Sequence, residues 1–135
     1  MKKRLKYEYG HTKRDKEKVL DKIAIGDPKL AVRISENIDF LSRLVLLTRT
    51  MKQEFYRHID LIVFAKALRL CTPELIGGVI SEVSSSIKIE MLHHIKEPRS
   101  VGEVAKSQEL IIITIRELEE KGVIHLCPIA CKIMV

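Results

Sequence analysis

Asp60-Leu61-Ile62-Val63-Phe64-Ala65, Thr72-Pro73-Glu74-Leu75-Ile76, Ser84-Ser85-Ser86-Ile87 and Ser100-Val101-Gly102-Glu103-Val104 punctuate the stretch from Asp60 to Leu126. That stretch closes on Glu119-Glu120-Lys121-Gly122 and the residues after it. Each of the four opens on a side-chain oxygen that can accept from the free N–H groups of a first helical turn, and Thr72-Pro73 adds proline at the first helical position. Apolar residues at helical spacing follow each cap. The reading is a run of short helices: Leu61 to Leu70, Glu74 to Val83 (weakened by Gly77-Gly78), and Ile87 to Lys96 with Met91, Leu92 and Ile95 inward. A short helix from Val101 to Lys106 and a longer one from Gln108 to Lys121, stopped by Gly122, complete it. Segments this short are not stable alone, so they must bury one another.

The same devices recur upstream. Lys16 to Ile25 places Val19, Leu20 and Ile23 on one face before Gly26 stops it. Asp27-Pro28 restarts a helix with Leu30, Ala31 and Ile34 on its apolar side. Ile38 to Leu47 is an apolar run broken by Asp39, Ser42 and Arg43, and reads as a connector into a short helix. Thr50 with Gln53 has capping-box spacing for a helix carrying Phe55, Tyr56 and Ile59. Linkers are short, so successive helices are neighbours in space. The expected fold class is all-α, a compact multi-helix array, with residues 123–135 as an extended tail or a small strand.

Composition agrees. Hydrophobic residues make up 46% of the 135, with no Trp and only three Phe and three Tyr, so the core is aliphatic, as suits packed helices. No apolar run approaches the ~20 residues that span a bilayer. No signal-peptide core follows the charged N-terminus, so the expected location is the cytoplasm. Three cysteines are too few and too odd in number for a disulfide framework. Residues 1–18 carry eight Lys and Arg against three acids, which is +5 of the net +6. The body is therefore nearly neutral and the basic character belongs to a flexible tail, able to touch nucleic acid, an acidic partner or anionic lipid.

Candidate chemistry is sparse. His93 and His94 are adjacent, and neighbours on a helix point about 100° apart, too far to share a metal ion easily. His125, Cys127 and Cys131 come closer to a ligand set, but Pro128 bends the chain and no fourth ligand lies nearby. Gly77-Gly78 lacks the Lys-Ser or Lys-Thr of a phosphate loop, and no Ser lies between paired glycines as in a nucleophile elbow. No catalytic residue, cofactor or metal ion is assigned, and an enzyme is not expected. Ile89 to Leu126 does have the order of a winged helix-turn-helix, with its turn at Pro98-Arg99-Ser100. Its DNA-reading helix would open Gln108-Glu109-Leu110-Ile111-Ile112-Ile113-Thr114, where four aliphatics ask for burial on most sides and Glu109 repels phosphate. A winged-helix transcriptional regulator is the alternative reading.

The colinear order of several pieces resembles the C-terminal part of the flagellar motor switch protein FliG. They are Asp27-Pro28-Lys29-Leu30-Ala31, Leu44-Val45-Leu46-Leu47, Gln53 to Asp60, Ala67-Leu68-Arg69, Glu90-Met91-Leu92, and Arg116 to Gly122. The resemblance runs from about Val19 to Leu126. After the basic tail over 1–18 read from charge, it implies the end of an armadillo-like segment over 19–37 and a hinge-like connector over 38–41. A six-helix subdomain over 42–126 and a C-terminal tail over 127–135 follow. Whether the chain is a fragment or a short paralogue stays open.

In that family a charged ridge faces the stator protein MotA, through complementary charges that favour orientation and fast exchange over tight binding. The resemblance places the family's basic position after an Ala-Leu pair at Arg69. Its early ridge cation falls near Ser86 or Ile87, its acidic pair near His93-His94 or His94-Ile95, and its later cation at Ser100, beside Arg99. The hinge motif falls on Ile38, Asp39, Phe40 and Leu41, with Asp39 in place of an aromatic.

The expected partner-facing ridge is therefore Arg69, Lys88, Glu90, His93, His94, Lys96 and Arg99. Reversing the charges of Arg69 and Arg99 together is expected to weaken partner binding at unchanged thermal stability. The expected partners are a MotA-type stator protein and other rotor or switch proteins, with self-association as a homo-oligomer a further candidate. Nucleic acid is not expected, and a membrane is reached only through a complex at the flagellar basal body. A regulatory paralogue that generates no torque is a further reading.

Overall fold

The computed structural model describes residues 13–126, with side chains from Lys18 onward. Among these residues seven α-helices and one 3-10 turn follow in order: α1 Lys13–Gly26, α2 Pro28–Leu41, the 3-10 turn Ser42–Leu46, α3 Arg49–Arg57, α4 Leu61–Ala67, α5 Pro73–Ile80, α6 Ser85–Lys96 and α7 Val101–Glu120. No strand occurs among the described residues. The all-α array is thus what the molecule forms. The expected basic tail is helical from Lys13, and its first twelve residues lie outside the described part, as do residues 127–135.

Most helix starts are set by the caps legible in the sequence. Asp27 accepts from Leu30 N at 3.1 Å, Asp60 from Ile62 N at 2.9 Å, Thr72 from Leu75 N at 3.3 Å, Ser84 from Ile87 N at 3.4 Å and Ser100 from Glu103 N at 3.2 Å. α3 is the exception. Thr48 caps it, accepting from Met51 N at 3.2 Å, and Thr50 lies inside the helix. Leu47 is buried with an extended backbone, so the helix begins directly after that anchor. α4 stops at Ala67, short of the expected Leu70. Leu68, Leu70 and Cys71 are all buried, which no single helix face allows, and the chain turns there.

The largest departure is α7. The expected break at Ser107 is absent and one helix of 20 residues runs through. No Gly or Pro interrupts Glu103 to Glu120, and Ser107 and Gln108 are both buried, so nothing local favours a turn. The short-helix, turn, long-helix order of a helix-turn-helix is therefore not formed here. α7 closes as expected at Gly122, whose φ of +73° suits glycine. Val123 N donates to Leu118 O at 2.9 Å and Gly122 N to Glu119 O at 3.0 Å, the paired bonds of a Schellman ending.

α7 is the centre of the body. α2 and α4 pack against it, α6 packs on α4, α1 on α2, and α5 on the 3-10 turn. Its inward residues Val104, Ala105, Gln108, Ile111, Ile112, Ile115 and Leu118 recur at helical spacing. The four aliphatics do not share one fate. Ile111 and Ile112 are buried, while Leu110 and Ile113 are 46% and 53% exposed. Four successive positions sweep about 300° of a helix, more than two packed neighbours cover.

The two glycines of α5 separate cleanly. A Cβ on Gly77 would meet nothing within 4 Å, whereas one on Gly78 would sit 2.9 Å from Val45 Cγ1. Gly77→Ala is expected to raise the unfolding free energy by about 0.5–1 kcal/mol. Gly78→Ala should gain less or lose stability, because the 3-10 turn is already in contact. Urea unfolding of the two variants checks this, and equal gains would show that Val45 gives way freely.

Candidate functional site

α6 carries most of the residues singled out for partner contact. Ser84 starts it, Met91 and Ile95 anchor it in the core, and Pro98 prevents its continuation. That anchorage fixes which side faces out. Glu90, His93 and Lys96 are exposed and lie along one stripe at successive spacings of three. Lys88 and His94 are half-buried. Glu97, absent from the expected set, extends the stripe and lies 3.8 Å from His93 Nε2.

Arg69 and Arg99 are brought to the same helix, but they turn inward at its C-terminal end. Arg69 Nη1 donates to the carbonyls of Ile95 and Lys96, both at 2.9 Å. Those are carbonyls the helix end leaves without partners. Burial and then the nearby Arg99 charge hold the Arg69 guanidinium below its ordinary range. Arg99, with its side chain 11% exposed, pairs with Glu97 at 2.9 Å and Glu103 at 3.5 Å, and Lys66 reaches Glu103 at 3.4 Å. These two arginines fasten the α6–α7 corner. These contacts argue against the expectation that reversing both would spare thermal stability, since each reversal removes donors or ion pairs at the corner.

The hinge-like residues form the last turn of α2, not a linker. Ile38 and Leu41 are buried, and the guanidinium carbons of Arg43 and Arg116 lie 5.6 and 5.3 Å from the Phe40 ring centroid. Such cation–π contacts hold Phe40 in place from α7 and from the 3-10 turn. Asp39 is exposed, and its carbonyl accepts from Ser42 Oγ at 2.6 Å.

Beside the α6 stripe lies a groove of about 360 Å³ between α3, α4 and α6. Ile59, Leu61, Ile87 and Met91 give it apolar walls, Asp60 and Glu90 an acidic rim, and Tyr56 and His94 its polar atoms. Tyr56 is braced by Phe55 and Phe64, ring centroids 5.6 and 6.2 Å away. Burial, and next the Glu82 charge, push its phenol well above the ordinary range. Sequence reading gave no hint of this pairing. Tyr56 and His94 are far apart in the chain and belong to different helices.

Other polar contacts also escaped the sequence. Gln108 is fully buried and donates to Ala67 O at 3.3 Å while accepting from Asn37 Nδ2 at 3.4 Å, which ties α2, α4 and α7 together. Glu109 holds Arg33 of α2 by accepting three bonds, two from Nη2 at 2.7 Å and one from Nε at 3.2 Å. Among the described residues no group of His, Cys, Asp and Glu is placed to hold a metal ion, and Cys127 and Cys131 lie outside them.

The body thus presents a polar helix stripe beside a part-apolar groove. The family model described as the FliG C-terminal domain matches residues 21–126, well over half of the chain. The chain therefore belongs to the FliG C-terminal domain family, and the resemblance drawn from the order of its motifs holds. The family is a flagellar motor switch and rotor family, structural and not enzymatic, whose members interact with other motor components. No curated protein matched the chain. No helix among the described residues is long and apolar enough to cross a membrane.

Proposed function

We propose that this chain is a rotor-side contact module of the flagellar motor switch that presents the α6 stripe to a stator protein of the MotA type. The observation that carries the reading is that the family match takes in α6, whose Glu90, His93 and Lys96 point to solvent while Met91 and Ile95 hold the helix to the core. Contact would be made by exposed charges, so it should be weak, fast and sensitive to salt. Arg69 and Arg99 serve it indirectly, by setting the position of α6.

Binding of the purified chain to the cytoplasmic loop of a MotA-type stator protein tests this. Glu90→Lys or Lys96→Glu should change affinity several-fold and stability by no more than about 0.5 kcal/mol. No binding, or binding indifferent to both substitutions, would count against the stripe. Steep salt-dependent, sequence-selective binding to duplex DNA would instead favour the regulator reading.

A second reading has one observation behind it. By the resemblance the family's acidic pair falls on His93-His94 or His94-Ile95, which carry no acid, so a module that joins other rotor or switch proteins without generating torque is also proposed. Rotor proteins captured in preference to the stator loop would select it.

A further inference from the structure

We propose that the groove between α3, α4 and α6 is a docking site for one apolar side chain of a basic protein segment, an assignment that rests on reading α6 as the partner-facing helix. Its volume, about 360 Å³, has room for a leucine-sized side chain. Ile59, Leu61, Ile87 and Met91 supply the apolar walls, and Ile62, 43% exposed, stands at its edge. Burying that surface under an aliphatic group would release water from both.

The rim decides the charge of the occupant. The two carboxylates lining the groove are Asp60 and Glu90, and no Lys or Arg among the described residues lines it. Glu90 makes no ion pair or side-chain hydrogen bond among the described residues. Asp60 spends one carboxylate oxygen on Ile62 N and Val63 N. A lysine or arginine flanking the apolar anchor would meet both acids, whereas an acidic segment would be repelled.

Two further atoms point to an occupant. Tyr56 Oη and His94 Nδ1 are shielded from solvent and have no hydrogen-bond partner among the described residues, although both residues line this groove. An unpartnered buried polar group destabilises the free protein. A backbone amide or carbonyl of a docked segment would satisfy it once a small shift of the side chain brought the polar atom to the groove.

The test uses the full chain and short alanine-based helical peptides as probes: one with leucine flanked by arginines, one with leucine flanked by glutamates, and one with alanine flanked by arginines. The arginine–leucine peptide should bind about tenfold tighter than either control, with NMR shifts centred on the methyl groups of Ile62, Ile87 and Met91. Tyr56→Phe should keep or raise Tm yet weaken that peptide several-fold. Glu90→Lys should move the preference toward the glutamate–leucine peptide.

Equal binding of all three peptides, shifts elsewhere, or a Tyr56→Phe variant that binds unchanged would overturn the groove. A peptide of residues 1–12 binding as well as the best probe would overturn a foreign partner in favour of the chain's own basic end. Stator-loop binding with shifts confined to Glu90, His93 and Lys96 would retire the groove and leave the stripe standing. Peptide binding without stator-loop binding would do the reverse.

Discussion

Gln108→Ala is expected to cost about 3 kcal/mol of stability, from the cavity left in the core and the hydrogen bonds lost with it. The side chain is fully buried where α2, α4 and α7 meet. Its removal leaves the Ala67 carbonyl at the end of α4 with the weak 4.0 Å contact from Cys71 Sγ and releases Asn37 on α2. The fall in Tm should be roughly 10–15 °C for a domain of this size. Gln108→Leu keeps the volume and loses only the hydrogen bonds, so it should cost about half as much. Thermal and urea unfolding of the pair separate the two contributions. An alanine variant within experimental error of the parent would show that Gln108 does not tie these helices.

The double reversal Arg69→Glu with Arg99→Glu is expected to cost a further comparable amount, about 3 kcal/mol, because charge-assisted bonds to both α6 carbonyls and the Arg99 pairs vanish together. Carboxylates would replace donors beside the Ile95 and Lys96 carbonyls and beside Glu97 and Glu103. Hydrogen exchange should speed up at the end of α6 and the first turn of α7 before it does elsewhere. Lost partner binding in that variant would thus report a displaced α6, not an absent charge. Glu90→Lys and Lys96→Glu are the cleaner probes of charge, since both side chains are exposed and lie outside that corner network. A double variant that melts with the parent would return both arginines to the list of direct contacts.

Legibility followed the range of the interaction. Asp27, Asp60, Thr72, Ser84 and Ser100 were readable as caps because the bond each makes spans two or three residues. Thr48 and Thr50 were confusable because both have the right oxygen, and burial of Leu47, a tertiary event, chose between them. Arg69 looked like a surface cation because its acceptors lie 26 and 27 residues away. Gln108 looked like the first residue of a separate helix because its acceptor on Ala67 is 41 residues distant.

The chain on its own determined an aliphatic all-α body, most of its helix starts, the stop at Gly122 and membership of the FliG C-terminal family, since capping chemistry and apolar spacing act within a helical turn or two. Only the packed structure decided that α7 runs unbroken, that Arg69 and Arg99 latch the α6–α7 corner while Glu90, His93 and Lys96 face outward, and that Tyr56 and His94 share one groove. A charged side chain's direction depends on which neighbour covers the opposite face of its helix, and that neighbour comes from elsewhere in the chain.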